Sequence, residues 1–164
     1  MELRISDLGF QFGIMVISVS DVKKLREETS AGVIEVKKAL EDSGGDLEEA
    51  KKLLQERGVA RAQKKAEREA AEGLVTSYIH NGGKIGVLIE VFCETDFVAR
   101  TDDFQKLSKE LAMQVAATDP GDANELFEQE YIRDPSKIVQ DLVNETIAKV
   151  GENIRVGRLA RFQI

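Results

Sequence analysis

The sequence has little of the side chains on which most active sites depend. Its 164 residues include one cysteine, one histidine and no tryptophan. A single cysteine, Cys93, excludes an intrachain disulfide and a zinc site built from several cysteines. It suits a reducing compartment, and we expect a cytoplasmic protein. The only histidine, His80, precedes Asn81-Gly82-Gly83, a pattern that predicts an exposed turn residue rather than a catalytic base.

Long apolar runs are also missing from the sequence. No stretch approaches the ~20 residues that a membrane span requires, and the apolar segment from Phe10 to Val19 lacks the positive region of a signal peptide. We therefore expect no membrane partner. Because Met15 lies just before the first helical pattern, residues 1–14 are interpreted as a misassigned start or a dispensable arm. They lie within an N-terminal extension, residues 1–19, and an ordinary edge strand is the alternative interpretation of residues 1–14.

The charge balance argues against a nucleic-acid partner. There are 30 Asp and Glu residues against 23 Lys and Arg residues, which gives a formal charge of -7. A chain that neutralises phosphates usually carries a net positive charge or a basic stripe. Here the acidic excess is concentrated between Asp119 and Glu145. We expect no direct contact with nucleic acid.

Helical periodicity predicts three short helices within residues 20–57. The second stops at Gly44-Gly45, because glycine readily adopts the left-handed conformation that ends helices. The third opens at Asp46, three residues before Glu49, which is a capping-box pattern, and is expected to end at Gly58. Its first half resembles the third helix of ubiquitin-associated-type (UBA) bundles. The apolar residues at helical spacing are Val22, Leu25, Val33, Val36, Leu40, Leu47, Ala50, Leu53 and Leu54.

The pattern then changes to that of β-strands. Residues 74–79 and 84–93 are rich in β-branched and aromatic side chains. The Asn81-Gly82-Gly83 segment between them can adopt the positive φ of a tight turn, so the two runs predict a β-hairpin.

Two more amphipathic helices and one strand follow the hairpin. The first helix carries Phe104, Leu107, Leu111 and Val115 on one face, and the second is expected to open at Asp134-Pro135-Ser136 and to close at Gly151. Residues 154–162 suit a third strand whose alternation slips near Gly157, as at a β-bulge.

This order of elements predicts an α+β fold in which helices pack on a small antiparallel three-stranded sheet. We divide the chain after the N-terminal extension into a three-helix UBA-like domain (20–58), a helical linker (59–72) and a core domain (73–164).

The segment from Cys93 to Arg100 is an unusual joint between a strand and a helix. Such joints lie at the surface and are usually polar, but this one contains Phe97 and Val98. Two interpretations stay open. Either Phe97 tucks under the joint while Thr95 caps the following turn, or Phe97 protrudes as an anchor for a partner, a role in which aromatic side chains often dominate interface energies.

Glu94 and Asp96 could suggest paired carboxylates for acid–base catalysis. In the sequence they are accompanied by no nucleophile, set of metal ligands or phosphate-binding glycine loop. We therefore expect no enzyme active site, no metal and no cofactor.

Four motifs, in this order, resemble those of the elongation factor Ts family. They are Val22–Thr29 followed by Ala31-Gly32, Lys37–Leu40 with Gly45-Asp46, Thr95–Arg100, and Gly151–Ile154. The resemblance covers residues 20–164, and four ordered motifs are far more specific than any one. The chain resembles the short bacterial form, which lacks the second half-core and the coiled-coil insertion. Gly157 and Leu159 depart from the Arg and Phe common near the end of that form.

The resemblance implies a guanine-nucleotide exchange factor that acts on elongation factor Tu, GDP-bound or nucleotide-free, in translation elongation. Thr95, Asp96, Phe97 and Val98 would enter the partner near its Mg²⁺ and phosphate site and dislocate the Mg²⁺. Six residues would lie on or near the surface that docks on the partner's nucleotide-binding domain: Lys23, Leu25, Arg26, Gly32, Val33 and Ile34.

Val33 and Ile34 are adjacent and therefore cannot share one helix face. One should enter the helical core while the other faces outward. Burial of both is the alternative.

The resemblance further implies that residues 73–164 serve dimerisation and exchange. A three-stranded sheet alone leaves an apolar face or edge to be covered, so we expect a symmetric homodimer and a two-plus-two complex with elongation factor Tu. The competing hypothesis is a UBA-type binding module or nascent-chain adaptor. Residues 20–58 alone support it, and it leaves Thr95–Arg100 and Gly151–Ile154 without a role.

Overall fold

A computed structural model describes residues 17–29 and 31–164. The expectations for residues 1–14, including the edge strand, lie outside these residues. The described chain is α+β, with an antiparallel three-stranded sheet packed against helices and a separate two-stranded sheet. The predicted class and the three-stranded sheet are confirmed. No helix in the described ranges is long and apolar enough to traverse a bilayer.

Three helices form first: α1 (Val19–Thr29), α2 (Val33–Asp42) and α3 (Leu47–Lys65). Gly44 and Gly45 both have positive φ after α2, and the Asp46 carboxylate accepts a hydrogen bond from the Glu49 amide at 2.9 Å at the start of α3. These predicted boundaries are therefore confirmed. The helices share a small core formed by Leu25, Val36, Ala39, Leu40, Ala50 and Leu54.

The predicted end of α3 at Gly58 is wrong. The helix continues to Lys65. Ala62 near its end is buried in a second hydrophobic core, formed by the three-stranded sheet and the helices packed on it (the sheet domain), rather than in the three-helix core. A glycine inside a helix costs only about 1 kcal/mol relative to alanine, which tertiary packing on both sides of it can offset. As a result α3 spans both hydrophobic clusters as one continuous helix. Residues 66–71 form no helix.

The three-stranded sheet has the order β1-β2-β5, with strands Glu72–His80, Ile85–Cys93 and Ile154–Gln163. Both pairings are antiparallel. Asn81, Gly82 and Gly83 all have positive φ in the turn between β1 and β2, which confirms the predicted hairpin.

The predicted bulge near Gly157 is also confirmed. Ile89 pairs with Leu159 but Val91 pairs with Val156, so two residues of β5 stand opposite Glu90 alone. A Cβ at Gly157 would lie 2.5 Å from the Phe92 ring and 2.8 Å from the Glu90 carboxylate. Glycine allows this close approach, which gives a local reason for the departure from Arg at this position.

The remaining elements cover one face of the sheet. They are α4 (Asp96–Ala99), α5 (Asp102–Thr118), α6 (Ala123–Glu128), β3 (Glu130–Tyr131), β4 (Asp134–Ile138) and α7 (Val139–Val150). The apolar face of α5 packs against the inward side chains of β2, as its period predicts, and α7 packs on α5 and α3. The centre of this core consists of Phe104, Leu107, Leu111, Val87, Ile89, Val91, Val143 and Ile147.

One expectation for this part of the chain is wrong. Helix α7 begins at Val139 rather than at Asp134, because residues 134–138 are extended and pair with β3. Residues 123–131, for which the sequence predicted no element, form α6 and β3.

Candidate functional site

The joint after β2 contains the one-turn helix α4. Thr95 has extended backbone and caps α4, its Oγ1 accepting a hydrogen bond from the Val98 amide at 3.4 Å. Val98 and Ala99 are buried against the sheet domain. These contacts fix one side of α4 and leave its other side at the surface.

Phe97 lies on that outer side and is 76% exposed. The interpretation in which Phe97 tucks under the joint is therefore wrong, although the cap at Thr95 that accompanied it is confirmed. Val98 takes the inward position instead. A large exposed aromatic side chain on a fixed backbone has the features of a protein-binding anchor.

Asp96 lies beside Phe97 at the surface. Its Oδ2 is 2.7 Å from a guanidinium nitrogen of Arg100, one helical turn along the chain. Ion pairs at this exposure contribute little to stability, so the Asp96 carboxylate can exchange Arg100 for another polar group at small cost.

The carboxylate of Glu152, between α7 and β5, accepts hydrogen bonds from the joint. Glu152 Oε2 accepts hydrogen bonds from the amides of Glu94 and Thr95, at 3.1 and 2.9 Å. Its Oε1 accepts a hydrogen bond from the Thr95 hydroxyl, with 2.7 Å between the two oxygens. Sequence reasoning placed these residues in two separate motifs and did not foresee their contact. The presence of both motifs in one chain was the only signal for it.

Cys93 is the last residue of β2 and is fully buried. Burial, reinforced by the negative charge of Glu152, raises the pKa of its thiol to about 11. The Sγ–H donates to the Thr95 carbonyl at 3.1 Å. A thiol in this environment is an inert structural group rather than a nucleophile.

The six predicted docking residues divide between surface and core. Leu25 is 1% exposed in the three-helix core, so it supports the surface from beneath. The other five are exposed: Lys23, Arg26, Gly32, Val33 and Ile34.

Four of these exposed residues, Arg26, Gly32, Val33 and Ile34, line one shallow depression. Val33 is 47% exposed and Ile34 is 83% exposed. The expectation that one of the two enters the core is therefore wrong, and so is the alternative that both do. Both lie in the first turn of α2, before its buried stripe begins at Val36.

The face of the sheet opposite α5, its outer face, carries several exposed apolar side chains. Val75 and Ile79 of β1, Leu88 of β2 and Phe162 of β5 are all exposed, from 49% to 69%. Their register places them side by side, because Ile79 and Phe162 flank Gly86 on opposite sides of β2. We call these four residues the outer patch.

The described residues contain no group of three or more His, Cys, Asp or Glu side chains that could hold a metal ion. His80 is exposed at the end of β1, where its ring stacks on Tyr78 at 5.9 Å between ring centroids.

The sequence that forms the joint and the rest of this fold is similar to known proteins. A family model described as elongation factor TS matches residues 94–164, which include α4 and Glu152. Proteins named elongation factor Ts from Thermoanaerobacter sp. (strain X514), Oleidesulfovibrio alaskensis and Herpetosiphon aurantiacus are 45%, 41% and 40% identical to this chain. The matches cover 90%, 90% and 92% of this chain and 95%, 98% and 98% of those relatives.

The Thermoanaerobacter match runs over 193 residues, whereas this chain has 164. Within the matched span that relative therefore carries residues that have no counterpart here. The coverage of both proteins, at this identity, leaves no doubt about their common origin, and the chain belongs to the elongation factor Ts family.

Proposed function

We propose that this chain is a guanine-nucleotide exchange factor for elongation factor Tu, acting in the cytoplasm during translation elongation. The observation that carries the proposal is the exposed Phe97, held on a capped helical turn within the family motif Thr95–Val98. An adaptor that bound partners through the three-helix domain alone would need neither this side chain nor its rigid support.

The proposed mechanism uses the joint as a wedge. Phe97 enters an apolar crevice of the partner near its Mg²⁺ and phosphate site, and Asp96 competes there for polar contacts. Mg²⁺ requires near-octahedral geometry and bridges phosphate oxygens to protein ligands. A small displacement of those ligands is therefore enough to lower the affinity for nucleotide. The exchange factor needs no catalytic residue of its own.

The wedge requires a separate docking surface. Burying a phenylalanine contributes roughly 1.5–3 kcal/mol, which is too little to expel a tightly bound nucleotide. We propose that the exposed residues of α1 and the start of α2 supply the rest by docking on the nucleotide-binding domain. Ile34, the most exposed of these side chains on α2, provides apolar area, and Lys23 and Arg26 provide positive charge.

Release of a fluorescent GDP analogue from elongation factor Tu tests the function. The wild-type chain should accelerate release as its concentration rises, up to a limiting rate. Ile34→Asp should raise the concentration needed for half of that rate, because it places a charge in the docking surface. Ile132→Asp, in the turn between β3 and β4, is the matched control for an exposed apolar residue elsewhere. No acceleration by the wild-type chain would contradict the proposal and favour the adaptor hypothesis.

We also propose that the outer patch pairs with the same patch of a second copy, giving a two-plus-two complex with the partner. Among residues 17–29 and 31–164 helices cover only the other face of the sheet, so this face is open in the described part of the chain. Glu90, Arg155 and Arg158 lie on the same face beside the patch. Because the surface has an apolar centre and carries both signs of charge, a second copy of it can supply opposite charges to each edge, as a two-fold interface requires.

Light scattering on the purified chain at micromolar concentration tests the pairing. The wild type should have the mass of a dimer, and Leu88→Lys should give a monomer that is still folded. Ile132→Lys should remain dimeric. A wild-type monomer at that concentration would contradict the proposed pairing.

A further inference from the structure

We infer that Glu152 is a positioning residue for nucleotide exchange, which acts by fixing the joint that presents Phe97. The inference rests on the proposed function and extends it to a residue outside the Thr95–Val98 motif. Glu152 lies behind the joint and is partly buried, so its effect on a partner passes through the backbone of Glu94 and Thr95.

The geometry of the carboxylate supports this role. Both oxygens accept hydrogen bonds from the joint, two from backbone amides and one from the Thr95 hydroxyl, over 2.7–3.1 Å. The same hydroxyl oxygen accepts from the Val98 amide and so caps α4. Glu152 therefore orients the residue that starts the helical turn carrying Phe97.

The joint needs this support because α4 is only four residues long. A single helical turn is not stable by itself in water, since forming its first hydrogen bond requires several residues to be ordered at once. Hydrogen bonds to a charged acceptor are roughly twice as strong as neutral ones. Without them, part of the free energy of binding would be used to order the joint in the complex.

The neighbouring residue, Asn153, connects the joint to the segment that follows α3, the helix that packs against α1 and α2. Its amide donates to Glu94 Oε1 at 2.6 Å. Its side-chain Nδ2 donates to the carbonyl oxygens of Ala66 and Arg68, just beyond the end of α3, at 3.4 and 2.8 Å. Because α3 also packs in the three-helix core, this network fixes the direction of Phe97 relative to the docking surface.

The first test needs no partner. Amide hydrogen exchange is measured by NMR on the wild-type chain and on Glu152→Gln, which keeps the shape of the side chain but removes its charge and one acceptor oxygen. The amides of Glu94 and Thr95 should exchange about tenfold faster in the variant, and those of α5 should be unchanged. Wild-type exchange rates at both positions would overturn the inference.

The second test separates positioning from docking. GDP release is measured over a range of exchange-factor concentrations for the wild type, for Glu152→Gln and for Glu128→Gln. Glu128 is exposed on α6, and this control makes the same change of charge. In Glu152→Gln the limiting rate should fall about tenfold while the concentration for half of that rate changes less than twofold, because charged hydrogen bonds exceed neutral ones by roughly 1–1.5 kcal/mol and about 1.4 kcal/mol corresponds to a factor of ten. Glu128→Gln should match the wild type.

The outcomes distinguish this inference from the function on which it rests. If the wild type does not accelerate release, the proposed function fails. If the wild type is active and Glu152→Gln has the same limiting rate, only the positioning role fails. If Glu152→Gln lowers the melting temperature and raises the half-saturating concentration without lowering the limiting rate, Glu152 is merely structural and the inference is overturned.

Discussion

Replacing Phe97 by alanine should separate stability from function. The ring is 76% exposed in the free chain, so its removal takes away few contacts and leaves no cavity. Substitutions at exposed positions usually change the free energy of unfolding by less than about 0.5 kcal/mol. Urea unfolding of Phe97→Ala should therefore give a midpoint close to that of the wild type.

The effect on the complex should be much larger. If the ring is fully buried in the partner, its loss removes roughly 1.5–3 kcal/mol of binding free energy. Since about 1.4 kcal/mol corresponds to a factor of ten, the second-order rate constant for GDP release should fall on the order of 10- to 150-fold. If Phe97 stays largely exposed to solvent in the complex, its replacement should lower this rate constant by less than about threefold.

Stopped-flow release of a fluorescent GDP analogue from elongation factor Tu measures this rate constant. Ile132→Ala is the control, because Ile132 is apolar and partly exposed but lies in the turn between β3 and β4. Exchange by Phe97→Ala at the wild-type rate would refute the wedge mechanism. A large loss of stability in the same variant would show that the ring contributes to the fold.

Three further predictions concern groups away from the wedge. Because Cys93 is fully buried and burial raises the pKa of its thiol to about 11, iodoacetamide at pH 8 should label it far more slowly in the folded chain than in urea, and equally rapid labelling of the folded chain would contradict its burial. Hydrogen bonds from Arg158 lower the pKa of Glu90 from 4.5 to about 2. The contribution of the Glu90–Arg158 interaction to the free energy of unfolding is therefore present above pH 4.5 and is lost as the pH falls toward 2. The melting temperatures of the wild type and of Glu90→Gln should differ at pH 7 and converge toward pH 2. Tyr131→Phe leaves the buried Glu110 carboxylate without its 2.7 Å hydrogen bond and should lower the free energy of unfolding by about 1–2 kcal/mol in urea titrations.

Local signals predicted the parts of the fold that depend on neighbouring residues. The hairpin between β1 and β2 follows from Asn81 and two glycines between β-branched runs, and the start of α3 follows from the Asp46 cap. The bulge near Gly157 was visible as a slip in alternation. In each case a few adjacent residues determine the backbone.

The errors come from contacts between residues far apart in the chain. Helix α3 passes Gly58 because Ala62 packs in the core of the sheet domain, which the local pattern does not encode. Residues 134–138 are extended because they pair with β3, although their composition suggested the start of a helix.

In the candidate site, too, local features were predictable and contacts between distant residues were not. The sequence indicated an unusual joint at residues 93–100, and the family motifs favoured a role for Phe97. It could not decide which of Phe97 and Val98 faces outward, since that depends on how α4 sits against the sheet. The contact between Glu152 and Thr95 spans 57 residues, and no local periodicity reports it.

As an exchange factor, this chain should lower the affinity of elongation factor Tu for nucleotide, and bound nucleotide should lower its affinity for this chain. Linkage requires the coupling to be reciprocal, so calorimetry with the nucleotide-free and the GDP-bound partner tests it most directly. The chain should bind the nucleotide-free partner more tightly, by the same factor by which it weakens the binding of GDP. Equal affinity for the two forms would contradict the claim.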